Sequence, residues 1–168
     1  MEVGCNTVDW AALLRHLRER PDEFLFEVEG LLEDSPIDPG PSAIFNHEAT
    51  SVLEAAARAL DASQAEDLDA VTRSFSAASG SGAHFDAELP KDDGIWYAAM
   101  SPETLKRLVA RADRLDRGKL EPALASALAS EKSSRIESAR ECLDYFDAWV
   151  ETYRRAADEG RGVLVSIG

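Results

Sequence analysis

The feature that most constrains the fold is a long apolar stripe near the end of the chain. Ile136, Ala139, Leu143, Phe146, Val150, Tyr153 and Ala157 recur in steps of three and four, the spacing that keeps side chains on one face of an α-helix. Cys142, Tyr145 and Trp149 widen that stripe, so the helix, predicted from about Lys132 to Glu159, is covered on more than one side and sits centrally. Gly160 ends it, since glycine readily adopts the left-handed conformation that closes helices. Val163-Leu164-Val165-Ser166-Ile167 is β-branched and apolar enough for a buried strand.

The rest of the chain reads as further helices with little sheet. Trp10, Leu13, Leu14 and Leu17 form a first short helix behind Thr7 or Asp9 as cap. Pro21 opens a second, with Phe24, Val28 and Leu31 inward, and the run Asp34 to Pro41, with prolines at 36, 39 and 41, stops it as a loop. Asn46 caps a third helix with the stripe Ala49, Val52, Leu53, Ala56 and Leu60. Ser63-Gln64-Ala65-Glu66 has the form of a capping box and starts a fourth, carrying Leu68, Val71 and Phe75. Residues 74–82 are rich in serine, glycine and alanine and read as a flexible loop. Residues 83–89 and 95–100 read as strands. Ser101 as cap and Pro102 as first residue open a helix with Leu105, Leu108, Val109, Ala112 and Leu115 inward, and Gly118 to Pro122 breaks the chain before the long helix. The expected fold class is α+β: one helix-rich domain over residues 1–168, with a small mixed or antiparallel sheet and a final strand after the long helix.

At 168 residues such a domain buries about 70% of its unfolded surface, so it needs no metal or disulfide staple. Charge is unevenly placed: residues 1–93 hold 6 basic and 20 acidic side chains, which accounts for the whole net charge of −14. That field repels polyanions and attracts basic surfaces. Cys5 and Cys142 stand far apart without CxxC spacing and fit reduced thiols. The opening residues lack a signal-peptide pattern and no apolar stretch is long enough for a bilayer, so the reading is cytoplasmic, with no membrane partner.

No motif calls for a cofactor or metal. His47-Glu48 has Ser51 where a zincin helix needs a second histidine, and Gly80-Ser81-Gly82 lacks the Lys-Ser/Thr pair of a phosphate loop. There is no GxSxG elbow, and Ser101 before Pro102 reads as a cap rather than a nucleophile. The carboxylate clusters Glu66-Asp67-Asp69 and Asp92-Asp93 read as solvated, without EF-hand periodicity. Lys106, Arg107, Arg111, Arg114, Arg117 and Lys119 form a basic face. It lacks interleaved aromatics, and the acidic half disfavours nucleic acid, so this face is expected to be solvated or paired with first-half carboxylates. The same pairing between copies would make a homodimer.

The closing segment Trp149-Val150-Glu151-Thr152-Tyr153-Arg154-Arg155-Ala156-Ala157-Asp158-Glu159-Gly160-Arg161-Gly162-Val163-Leu164-Val165 resembles the end of the YfbM-like family, a domain of unknown function. There a helix bearing Tyr, Arg and an Ala-Ala pair reaches a glycine and passes into a final apolar strand. The helix from Asn46 to Leu60 is similar as well. The early helix departs from the family, which usually carries Trp and His in a Leu-rich run where this chain has Phe24 to Leu32. The resemblance implies a compact α+β fold in a bacterial cytoplasm, and no catalytic residues.

Two functional readings follow. The leading one is a non-enzymatic module whose acidic half engages a basic protein partner, as a small inhibitor would. The alternative is a small enzyme or ligand binder, with His84 and Asp86 as acid and base and Trp96 and Tyr97 as pocket walls.

Overall fold

The computed structural model describes residues 2–20, 23, 45–75, 86–89, 96–130 and 135–167. Five strands, β1 (Glu2–Val8), β2 (Phe45–Asn46), β3 (Ala87–Glu88), β4 (Trp96–Met100) and β5 (Gly162–Ile167), form an antiparallel sheet in the order β2-β1-β5-β4-β3. The terminal strand is therefore the middle one, pairing Cys5 with Val165 on one side and Ala98 with Val165 on the other. Both edges are two-residue strands, and short edges limit pairing with other chains. The helices are α1 (Trp10–Glu19), α2 (His47–Ala57), α3 (Ala62–Phe75), α4 (Pro102–Asp113), α5 (Arg117–Ser130) and α6 (Ala139–Asp158). The helix-rich α+β expectation holds.

Alternation along the strands divides the core. Cys5, Met100, Val163 and Val165 face the α2 to α6 layer, whose centre is the fully buried Trp149, Tyr153 and Phe146 of α6. Val8, Ala99 and Leu164 point the other way, toward Leu13 of α1. Trp10 lies so close over Gly162 that an added Cβ would sit 2.5 Å from its ring and 2.9 Å from the Met100 carbonyl oxygen. Glycine is required there by space, not by backbone angle.

The junction of α6 and β5 follows the sequence closely. Gly160 has φ 66°, the Arg161 N–H donates to the Ala156 carbonyl at 2.8 Å, and the Gly160 N–H donates to Ala157 at 3.2 Å. These are the two bonds of a Schellman closure. Ser101 caps α4 by accepting from the Thr104 N–H at 3.2 Å, with Pro102 as first residue.

Four expectations are corrected. Helix α6 begins at Ala139, not near Lys132: Ser138 accepts from the Glu141 N–H at 3.1 Å while the Glu141 carboxylate accepts from the Glu137 N–H at 2.8 Å. Ile136 is still buried, but from the segment before the helix. Helix α3 is capped by Asp61, which accepts from the Gln64 N–H at 3.1 Å, so Ser63 falls inside the first turn. Helix α5 runs through Gly118 and Pro122. A proline so near the start removes one i→i−4 bond, and the Ala-Leu sequence beyond it sustains the helix. The loop expected from residue 74 begins later, since α3 runs through Ser74, which is fully buried, to Phe75, the end already read for that helix.

Strand β1 is an element the sequence reading did not include. The helix expected after Pro21, the proline loop and residues 76–82 lie outside the described residues.

Candidate functional site

Among the described residues, a cluster of charged side chains joins the two halves of the chain along a seam. Arg107, Arg111 and Arg114 recur at i, i+4 and i+7, and so line one side of α4 and its C-terminal cap. Against them lies the first half of α3. Asp67 is the centre: Arg114 forks onto it through Nε at 2.9 Å and Nη2 at 2.6 Å, and Arg111 Nη1 donates to it at 3.1 Å. The Asp67 side chain is only 6% exposed. The hydrogen bond from Arg114 holds its carboxyl below the usual carboxylate range although burial opposes this, and the same contact raises Arg114.

The seam continues on both sides of that centre. Arg111 reaches Glu66 at 3.3 Å. Gln64 clamps the corner between α4 and α5 at two points, donating to the Arg114 carbonyl at 3.0 Å and accepting from the Asp116 N–H at 2.6 Å. Lys119 Nζ donates to Asp61 at 2.9 Å, which lowers the Asp61 carboxyl and raises the lysine. Beyond the seam, Arg135 meets Glu48 of α2, Arg117 pairs with Asp147 at 2.5 Å and stands over the Phe146 ring at 5.2 Å, and Arg154 grips Asp113 at 2.7 Å.

The basic face read from the sequence is thus divided between two helices, with a corner at 114–116, and Arg111, Arg114 and Lys119 are committed to first-half carboxylates. The pairing expected between copies is available inside one chain. The carboxylate cluster at 66–69 is divided: Asp67 and Glu66 hold α4, whereas Asp69 pairs within α3 with Arg73 at 2.6 Å. Of the two outcomes the sequence left open for the basic face, solvated or paired with first-half carboxylates, Arg111, Arg114 and Lys119 take the second, and the 66–69 cluster, read as solvated, supplies two of their partners.

Residues of α2 and α3 also line an open cleft of about 710 Å³, which shares Glu66 with the seam. Ala57 and Ala65 give it small apolar surfaces, and Glu54, Glu66, Asp69, Arg58 and Arg73 supply charge. Three carboxylates of the first half, Glu54, Glu66 and Asp69, are among its lining residues. Its seven lining residues all come from α2, α3 or the turn between them.

The residues considered for catalysis are placed as follows. Asp86 precedes β3 and lies at the start of α4: its Oδ2 accepts from the Ser101 N–H at 2.5 Å and its Oδ1 from the Thr104 hydroxyl at 3.1 Å. Arg107 in turn donates to that hydroxyl at 2.7 Å. Both carboxylate oxygens are engaged in holding the strand-to-helix turn, where a negative group also suits the helix dipole. Trp96 and Tyr97 run in β4 opposite Ile167 and Ser166, and only their backbone is described. Trp96 stands three residues before Ala99, whose carbonyl accepts from the Asp86 N–H, a separation of about 10 Å along the strand. His84 lies outside the described residues.

Cys5 and Cys142 are both free and buried. Burial raises the Cys5 thiol far above its ordinary value and pushes Cys142, with Glu141 adding to the effect, up to about 12. Neither is a thiolate at neutral pH. Tyr153, also raised by burial, donates to the Ser74 hydroxyl at 3.0 Å, and that hydroxyl donates to the Val71 carbonyl at 2.6 Å. This chain of bonds anchors α6 to α3. Among the described residues no group of three or more His, Cys, Asp or Glu side chains is placed to hold a metal ion. Among the same residues no helix is long and apolar enough to cross a membrane.

No protein-family model and no curated protein matches the chain. Among solved structures the fold is similar to YfbM from Escherichia coli, a protein of unknown function, with a TM-score of 0.53 and 13% identity, all of each chain being covered. The architecture described above is therefore a YfbM-like fold.

Proposed function

We propose that this chain is a distant member of the YfbM-like family and works as a non-enzymatic protein-binding module in the cytoplasm, its first-half carboxylates engaging a basic protein surface. The observation that carries this reading is the seam. Arg111, Arg114, Lys119 and Arg135 answer Glu48, Asp61, Glu66 and Asp67, so half of the basic face that would attract a polyanion is committed within the chain. The net charge of −14 remains to act outward. A field of that sign steers cationic partners and repels nucleic acid.

The α2–α3 cleft is the place we assign to the contact. A lysine or arginine stem can lie on Ala57 and Ala65 while its head meets Glu54, or meets Asp69 in exchange for Arg73, the arrangement long cationic side chains favour. The test is capture of partners by the tagged protein from its native lysate at low and high salt, repeated with the double variant Glu54→Gln, Asp69→Asn. The reading expects a basic protein released by salt, held about tenfold less tightly by the variant at low salt, in line with loss of roughly one interfacial charge contact. An empty capture, or a partner indifferent to salt and to the variant, overturns it.

A further inference from the structure

We draw no further inference here: the strongest candidate, the open cleft between α2 and α3, belongs to the site already described, and with Arg73 on Asp69 and Arg111 on Glu66 nothing in the structure shows what further covers it.

Discussion

Helices α6 and α3 both pack against α4, but different physics holds them there. Helix α6 buries Leu143, Phe146, Trp149, Val150 and Tyr153, and the edge-to-face contact of Trp149 with Tyr153, centroids 6.2 Å apart, lies at its centre. Helix α3 buries Leu68 and Val71 but adds Asp67, a carboxylate gripped by two guanidinium groups. Apolar burial is non-directional and has no charge for simple salt to screen or for a proton to remove. A forked ion pair is directional, weakened by salt and lost when its carboxylate takes a proton. Charge joins both helices to α4, but at different depths: the Arg154–Asp113 pair of α6 is exposed, 38% and 54%, whereas Asp67 of α3 is only 6% exposed, and that buried pair is the one that joins the acidic half to its partner half.

Mutations separate the two. Trp149→Ala should have the largest effect, about 3 to 5 kcal/mol of lost stability from a fully buried aromatic, and urea unfolding should show that loss unchanged between low and high salt. Asp67→Asn should cost about 2 kcal/mol, the range for hydrogen bonds to charged groups, with the gap to wild type narrowing in high salt. If both variants respond to salt alike, the contrast between the helices fails.

Acid sharpens it. Asp67, Asp61 and Asp113 are each held below the ordinary carboxylate value by Arg114, Lys119 and Arg154 respectively. Their stabilisation is complete above the unfolded carboxylate range near pH 4, and is lost as pH falls through the lower folded values. Thermal unfolding of wild type should therefore fall steeply below about pH 4, and that of Asp67→Asn less steeply. The smallest effect belongs to Gly160→Ala: nothing lies within 4 Å of the added methyl group, so only the left-handed backbone is strained, at about 1 kcal/mol. A calorimetric shift as large as that of Trp149→Ala would mean that the α6 to β5 junction carries more than a helix stop.

How much of this was legible depended on how local the signal was. The Ser101-Pro102 start, the Gly160 stop and the strand after it are written within a few residues each, and the structure reproduces them. The start of α6 was legible too, since Ser138 and Glu141 stand at capping-box spacing, but the apolar Ile136 drew the predicted helix too far back. Asp61 and Ser63 are both good caps by type, and what distinguishes Asp61 is Lys119, 58 positions away. Strand β1 was missed because Gly4 and Asn6 dilute its alternation, and its partner β5 lies at the other end of the chain. The seam was legible only as a general pairing of the basic face with first-half carboxylates, one of two alternatives. Which arginine meets which carboxylate across 44 or 47 positions follows from the packing of α3 on α4, and no spacing within either helix encodes it. Of the residues weighed as a catalytic site, Asp86 accepts hydrogen bonds at the start of α4, a contact that its sequence neighbours do not signal.

The central claim is that the basic face of α4 is bound to the acidic half of the same chain. A double-mutant cycle on Asp67→Asn and Arg114→Met, read by urea unfolding at low and high salt, tests it most directly. The account predicts that the two substitutions together cost less than the sum of their separate effects, with a coupling that shrinks as salt rises. Additive effects at both salt concentrations would contradict it, and would leave the arginines of α4 as cations open to outside partners.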